Sequence, residues 1–268
     1  MPRDICKLCL QVKDLLKSHL IPAGALKSLR ARESENPNPL IVTSDRIVQS
    51  SEQAAYYAFC RNCEDVFNDG GERWLIPQLA DLDGFPLYDM LIKAEPFYRE
   101  GDFSAYHASS IPGFDAVKII HFGMGIFWKG SVRNWGYEGP DIQIDLCDYA
   151  EPIRQFVLGL GPFPTRTYLS VCVLPPTVPL LALLMPVRMK QPEFHRFKFY
   201  VPGVEFALNV GRQVPEDVRE PCLASGTLQL VALSPAFAKT MGKNYVEALN
   251  TARISPGFAK HLKLRGKP

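Results

Sequence analysis

The spacing of apolar positions predicts helices before about residue 160 and strands after it. Between Phe114 and Trp135, apolar side chains recur at 117, 120, 124, 127, 128 and 132, which is the spacing of one face of a helix. Gly123 and Gly125 would each cost about 1 kcal/mol relative to alanine inside this helix. We therefore expect it to pack closely against another element. A further helix is predicted over Glu151–Leu160, where an acidic residue and a proline stand at the start.

Short apolar or alternating segments, bounded by proline and glycine, predict a largely antiparallel sheet in the last third of the chain. They are Tyr168–Leu174, Leu180–Met189, Phe194–Val201, Val204–Val210 and Thr227–Leu233. Aromatic and basic residues alternate from His195 to Tyr200. This alternation favours a half-buried strand with Lys and Arg facing water, and stacking on a single nucleic-acid strand is the alternative. A last helix is predicted over Pro235–Asn250, with Ser234 as its cap.

Four of the seven cysteines form two C-x-x-C pairs, and three stand alone: the pairs are Cys6 with Cys9 and Cys60 with Cys63, and the others are Cys147, Cys172 and Cys222. Two such pairs supply the four thiolates of a tetrahedral structural zinc site. The alternative is two unrelated pairs of buried or redox-active cysteines. The three single cysteines are predicted to be buried, as small apolar side chains usually are.

The segment between the two cysteine pairs is compatible with one shared site. It contains 50 residues, and the entropy of loop closure grows only logarithmically with loop length. Its polar part, Ala31–Pro39, predicts a loop. After the second pair, Val66, Phe67, Trp74 and Leu75 recur at roughly helical spacing. We therefore expect a helix that starts at the second pair.

The termini and the charge distribution suggest a cytoplasmic protein with affinity for phosphates. Met1-Pro2-Arg3-Asp4 begins no apolar stretch of signal-peptide length, and no run reaches about 20 clean apolar residues, so no membrane partner is expected. The net charge is only +2, yet residues 1–32 hold seven basic and two acidic side chains. Basic patches suit a nucleic-acid backbone. A second basic cluster follows Glu247, and for it a solvated tail is an equal alternative.

Ser18-His19-Leu20-Ile21-Pro22 lies between the two cysteine pairs. The order C-x-x-C, His-x-x-Pro, C-x-x-C resembles the treble-clef zinc domains of the HNH, or His-Me finger, endonucleases. The resemblance implies that His19 is the general base that activates water, and that a divalent ion, Mg²⁺ or Mn²⁺, lies close by. Glu64 occupies the place of that family's final histidine, and a carboxylate can bind Mg²⁺.

The sequence also departs from the endonuclease pattern. Ser18 stands where these nucleases commonly have an aspartate, and Ala55 and Tyr56 lie near the place of the middle asparagine. Four acidic residues elsewhere in the module are candidates to replace the missing acid: Asp14, Asp65, Asp69 and Glu72. Together with Phe127-Trp128-Lys129-Gly130-Ser131-Val132, the motifs above also resemble a family of bacterial proteins labelled HNH endonuclease-like, over residues 1–160. That label rests on the zinc motif itself.

The sequence thus predicts an α+β protein with two parts. Residues 1–82 form a treble-clef zinc module, and residues 83–268 form an α+β domain that is helical to about 160 and β-rich after it. The predicted function is metal-dependent cleavage of DNA or RNA, with His19 as base and a divalent ion near Glu64. The alternative is a non-catalytic, zinc-stabilised binding protein, in which His19 bonds to backbone or replaces a cysteine ligand. His107, His121, His195 and His261 show no metal-ligand spacing, and His121 is predicted to be a satisfied core residue.

Overall fold

The computed structural model describes residues 1–28, 40–42, 47–49, 54–81, 84–136, 142–176 and 182–234, which combine strands and helices in the predicted α+β class. The strands are β1 (Arg3–Ile5), β2 (Val12–His19), β3 (Leu40–Val42), β4 (Ile47–Gln49), β5 (Ala55–Cys60), β6 (Tyr98–Glu100), β7 (Phe103–His107), β8 (Thr167–Val173), β9 (Ala182–Met189), β10 (His195–Val201), β11 (Val204–Val210) and β12 (Leu230–Leu233). The α-helices are α1 (Ala23–Ser28), α2 (Arg61–Phe67), α3 (Arg73–Leu75), α4 (Pro86–Ile92), α5 (Ala116–Val132), α6 (Ala150–Val157) and α7 (Glu216–Arg219). A π-helical turn (Asn68–Glu72) joins α2 to α3, and 3₁₀ turns lie at Ile76–Gln78, Ala108–Ser110 and Cys147–Tyr149.

The N-terminal strands form a three-stranded antiparallel sheet in the order β1-β2-β5. Ile5 pairs with Val12 across the first hairpin, and His19 at the end of β2 pairs with Ala55 at the start of β5. Helix α2 follows β5 without a linker, as predicted. A turn that carries the first cysteine pair is thus followed by a strand pair and by a helix that begins at the second pair, with Cys60 at the end of β5 and Cys63 in α2.

The second sheet has nine strands in the order β4-β3-β9-β10-β11-β8-β12-β7-β6. Its centre is antiparallel, with Phe199 of β10 opposite Phe206 of β11 and Phe206 opposite Val171 of β8. Strands β3 and β9, and strands β8 and β12, pair in parallel. The sequence predicted strands β8 to β12 but not the β6–β7 hairpin. Strand β6 is three residues long and all three residues are exposed, so it has no apolar alternation that could reveal it.

Helix α5 lies between the large sheet and α2, and its glycines explain how. A Cβ atom on Gly123 would lie 2.8 Å from Cδ1 of Phe206 in β11, and one on Gly125 would lie 3.3 Å from Cδ1 of Phe67 in α2. Ten residues of this helix are buried. The predicted buried helix and its close packing are therefore confirmed, and the cost of each glycine is offset by the contact that it permits.

The alternating segment in β10 is a half-buried strand. Phe197 and Phe199 are fully buried, and the Nζ atom of Lys198 lies 2.9 Å from Oε1 of Glu205 on β11. Arg196 Nε donates to Oδ1 of Asn209 at 2.7 Å. The aromatic rings belong to the core and the basic groups have partners on the neighbouring strand. The segment is therefore a strand, as the first interpretation predicted, but the expectation that Lys and Arg face water is wrong, because Arg196 and Lys198 contact buried side chains of β11. Its rings are packed in the core and are not free to stack on a base.

Several predictions fall on other parts of the chain. The loop over residues 31–39, the helix over residues 235–250, the basic tail and the boundary between residues 82 and 83 lie outside the described residues. The two-domain division stays a prediction. Buried apolar side chains from both sides of that boundary belong to one cluster, in which Phe59 and Phe67 pack against Trp128 at ring separations of 5.8 and 6.2 Å. None of the described helices is both long and apolar enough to cross a membrane.

Candidate metal centre and adjoining cleft

The turn between β1 and β2 brings Cys6 and Cys9 together. The Leu10 amide donates to the Cys6 carbonyl at 2.9 Å, and the Cys6 amide donates to the Gln11 carbonyl at 2.9 Å. Leu10 has φ of 61°, in the left-handed region that residues other than glycine rarely adopt. These bonds close the backbone into a tight turn around the first cysteine pair.

The second pair approaches this turn from the junction of β5 and α2. Cys60 is the last residue of β5, Cys63 lies in the first turn of α2, and the Cys60 amide donates to Cys6 Sγ at 3.3 Å. The Sγ atoms of Cys9 and Cys60 are 4.0 Å apart, and all four sulfur atoms lie within 4.8 Å of one another. Around a tetrahedral ion with metal–sulfur bonds of about 2.3 Å, the sulfur atoms lie roughly 3.8 Å apart. The cluster therefore fits a metal ion.

Burial and mutual contacts shift the pKa values of Cys6, Cys9 and Cys63. A hydrogen bond with Cys63, opposed by burial, lowers the pKa of Cys6 to about 4. The pKa of Cys63 is raised by its hydrogen bond with Cys6 and, to a smaller extent, by burial. Burial also raises the pKa of Cys9. Negative charge on one sulfur thus opposes ionisation of its neighbours, and a bound cation would remove this penalty. All four cysteines are free thiols.

The three remaining cysteines lie apart from the cluster and differ in exposure. Cys222 is buried, Cys172 is half-buried and Cys147 is exposed. Burial was predicted for all three, and it is wrong for Cys147. This residue follows Leu146 into a 3₁₀ turn with φ of 50°, and its amide donates to Oδ1 of Asp145 at 2.8 Å. The turn is thus held by backbone and polar contacts, and its cysteine has no apolar environment to enter.

His19 and Glu64 line a single cleft of about 390 Å³ next to the cysteine cluster. His19 is the last residue of β2, and Glu64 directly follows Cys63 in α2. The same elements that bring the cysteines together therefore also place these two side chains. The lining is completed by Pro22, Ala23, Gly24, Asn68, Glu72, Arg73, Ile76, Pro77 and Lys129.

Helix α5 contributes the most buried polar group of the cleft. Lys129 is 2% exposed, its Nζ atom lies 2.8 Å from Oε1 of Glu72, and it sits 4.0 Å from the centre of the Phe67 ring. Glu72 ends the π-helical turn, in which Gly70 packs against the His121 ring and Gly71 against Phe122 of α5. The two glycines let the turn approach α5 closely, which brings Glu72 and Lys129 together.

The electrostatic surroundings set the protonation states of His19 and Glu64. Burial, then the positive charges of Lys129 and Lys17, lower the pKa of His19, so the imidazole is neutral at pH 7. Burial raises the pKa of Glu64, and Lys129 opposes this effect. The Oε1 atom of Glu64 is buried and has no hydrogen-bond partner among the described residues. A buried acceptor without a partner is unusual, and a cation would satisfy it.

Of the four acids considered as replacements for the missing aspartate, Glu72 is the one that lines the cleft. Asp14 and Asp65 are exposed, and Asp69 pairs with Arg73 at 2.8 Å. Ser18, which stands where an aspartate was expected, is buried and accepts a hydrogen bond from the Phe59 amide at 3.3 Å. It therefore supports the strand pair, and it also contacts Glu64, where its hydrogen bond opposes the rise in the pKa of that carboxyl.

The remaining histidine prediction is partly met. His121 Nε2 lies 3.0 Å from the Val157 carbonyl, but its Nδ1 atom is buried without a partner among the described residues. Sequence reasoning did not assign Lys129, Asn68 or Arg73 to a site. Lys129 alone had a visible signal, since it is a charged residue inside the apolar run of α5.

The cysteine cluster is the one group of three or more His, Cys, Asp or Glu residues in the described ranges whose ligand atoms are close enough to hold an ion. The adjoining cleft offers a neutral histidine, two carboxylates and two basic side chains, a set suited to acid–base chemistry on an anionic ligand. Comparisons of the chain with models of known families, with curated proteins and with solved structures find no significant match.

Proposed function

We propose that this chain is a zinc-containing, HNH-like phosphodiesterase that cleaves DNA or RNA. The observation that carries the proposal is the shared cleft of His19 and Glu64, the two residues to which the family resemblance gives catalytic roles. They lie beside a four-cysteine cluster whose geometry suits Zn²⁺. Four protein ligands leave such an ion no open position, so the zinc is structural and the chemistry belongs to the cleft.

His19 is in the right protonation state for a general base. Its lowered pKa leaves the imidazole neutral at pH 7, able to accept a proton from a water molecule that attacks phosphorus. Lys129 and Arg73 line the same cleft and are the cationic side chains there that could stabilise negative charge on the phosphoryl oxygens. A divalent ion held by Glu64 would add further electrostatic stabilisation. Mg²⁺ commonly keeps several waters and takes one or two protein carboxylates together with phosphate oxygens, which is what this cleft can offer.

A non-catalytic, zinc-stabilised binding protein is the second candidate. It is favoured by the ligand geometry, because the carboxylates and histidine of the cleft do not form a preassembled ion site among the described residues. The turn that carries Cys6 and Cys9, here called the metal turn, also contacts the rest of the protein, since Nη1 of Arg154 in α6 donates to the Leu8 carbonyl at 2.6 Å. In that case zinc orders the N-terminal module, and His19→Ala leaves partner binding intact.

The test is cleavage of plasmid, single-stranded DNA and RNA by zinc-loaded protein, with Mg²⁺ or Mn²⁺. Wild type is compared with His19→Ala and with His195→Ala, a matched imidazole deletion in β10, outside the cleft. We expect divalent-ion-dependent cleavage that His19→Ala abolishes and His195→Ala retains. Equal activity in all three proteins would indicate a contaminant. No activity in any of them would reject the nuclease and favour the binding protein.

A further inference from the structure

Lys129 occupies a position that apolar packing alone would give to another residue type. Its neighbours in α5, Phe127 and Trp128, are buried, and its own side chain is 2% exposed. Removing an ammonium group from water is costly, and here the compensating groups are the Glu72 carboxylate and the face of the Phe67 ring.

Stability does not explain why this ion pair is present. A buried ion pair is often no more stabilising than apolar residues of similar volume, because the loss of hydration offsets the attraction between the charges. Both members of this pair line the cleft, whereas an ion pair that served packing alone would have no need to face it. The pair therefore belongs to the chemistry of the cleft.

Without a bound cation, the charged side chains of the cleft do not favour binding of an anionic phosphodiester. With His19 neutral, the charged lining groups are Glu64, Glu72, Lys129 and Arg73, which sum to zero. Arg73 is further offset by its partner Asp69. The charges of Glu72 and Lys129 neutralise each other in their ion pair. The buried Oε1 atom of Glu64 has no hydrogen-bond partner among the described residues. A divalent cation near Glu64 would change this balance in favour of an anion.

We propose that the Glu72–Lys129 ion pair is exchanged when the site is loaded: Glu72 turns to a divalent cation that it shares with Glu64, and Lys129, thereby released, contacts a phosphate oxygen of the substrate. Lys129 is then a catalytic residue supplied by α5, and Glu72 is a second carboxylate of the ion site. This inference rests on the proposed function for the identity of the substrate. It explains why a preassembled ion site is not seen, because one of its carboxylates is held by the lysine.

The test measures Mn²⁺ binding to the zinc-loaded full chain, from the electron paramagnetic resonance signal of free Mn²⁺. If Lys129 competes with the ion for Glu72, Lys129→Met binds Mn²⁺ at least about tenfold more tightly than wild type, because charge repulsion and competition are both removed. Glu72→Gln binds Mn²⁺ at least about tenfold more weakly. Lys129→Arg keeps the positive charge and stays within about threefold. Glu193→Gln, at an exposed glutamate outside the cleft, is the matched control and leaves the affinity unchanged.

A second measurement follows the anion. Pyrophosphate should bind to wild type only when Mn²⁺ is present, and Lys129→Met should lose this binding although it holds Mn²⁺ more tightly. A lysine that served packing alone would not produce these opposite effects. Circular dichroism and zinc content confirm that each variant is folded, and Glu72→Gln tests the same exchange should Lys129→Met fail to fold.

Unchanged or weaker Mn²⁺ binding in Lys129→Met overturns the exchange, as does unchanged binding in Glu72→Gln. The result is separable from that of the cleavage assay. Cleavage by wild type together with unaltered Mn²⁺ affinities rejects the exchange alone. The expected shifts in Mn²⁺ affinity without any cleavage support the exchange and reject the phosphodiesterase alone.

Discussion

Replacing Cys63 with serine should weaken metal binding severely and loosen the N-terminal module. Cys63 is 3% exposed and lies in the first turn of α2. In the Cys63→Ser variant, no water molecule or other cysteine could therefore take the place of the missing ligand unless the helix moved. Serine is a poor zinc ligand, since a hydroxyl is far less readily ionised than a thiol. Three cysteines would remain around the ion.

The size of the effect follows from the geometry of the cluster. A four-ligand zinc site contributes about 10–16 kcal/mol. One of four equivalent ligands therefore carries roughly 2.5–4 kcal/mol, so affinity should fall on the order of a hundredfold. The whole contribution is comparable to the total stability of a domain, about 5–15 kcal/mol. Removing the metal completely should therefore unfold the module rather than merely loosen it.

The assay has two parts. Competition with a chromophoric chelator gives the metal affinity, and amide hydrogen exchange gives local stability. We expect Cys63→Ser to lose protection in residues 1–28 and 54–67, with a smaller loss in β8, β10 and β11. Cys222→Ser is the matched control, because Cys222 is also a buried free thiol but lies outside the cluster.

Either of two results would contradict the role of Cys63 as a metal ligand. Metal affinity and exchange in Cys63→Ser that match wild type in every region would mean that the sulfur atoms do not hold an ion. Alternatively, Cys222→Ser could lose as much metal as Cys63→Ser, and the effect would then report general unfolding rather than the loss of a ligand.

Three further predictions concern the cleft and its supports. Cleavage should rise with pH and level off with an apparent pKa below the usual histidine value of about 6.5, because burial and Lys129 lower the pKa of His19; a pH–rate profile with a higher midpoint would contradict this. Gly70→Ala should destabilise the protein by about 1–3 kcal/mol in denaturant unfolding, since its Cβ would overlap the His121 ring, whereas Gly84→Ala, with nothing within 4 Å, should have little effect. Leu10→Gly should stabilise the metal turn by roughly 0.5–1 kcal/mol, because the relief of left-handed backbone strain outweighs the greater loss of chain entropy of glycine on folding. An unchanged midpoint of denaturant unfolding would contradict this.

The elements with clear periodicity could be predicted from the sequence, and those defined by long-range contacts could not. Helix α5 combines helical spacing with glycines whose close contacts the structure shows, and strands β8 to β12 have apolar runs with clear breakers. The β6–β7 hairpin was missed because β6 is short and exposed, and because β7 is placed in the sheet by its long-range pairing with β12.

The same distinction applies to the candidate site. The cysteine spacing predicted the cluster, because two C-x-x-C turns supply the four thiolates of a tetrahedral metal site. His19 and Glu64 were named from a motif, and the structure brings both to one cleft. Lys129 lies 57 residues from its partner Glu72 along the chain. No local pattern relates two residues at that separation, so the ion pair became visible only once the π-helical turn was placed against α5.

The contribution of Lys129 from α5 has a practical consequence for dissecting the chain. A fragment that ends near residue 82 would contain every cysteine of the metal cluster, together with His19, Glu64 and Glu72, and would look complete by its motifs. It would nevertheless lack one wall of the cleft, and Phe59 and Phe67 would lose the Trp128 ring that covers them. Such a fragment should load metal yet aggregate and remain inert. Because α5 packs in turn against β11 of the large sheet, the smallest expression unit worth making contains that sheet as well as α6, whose Arg154 contacts the turn that carries Cys6 and Cys9.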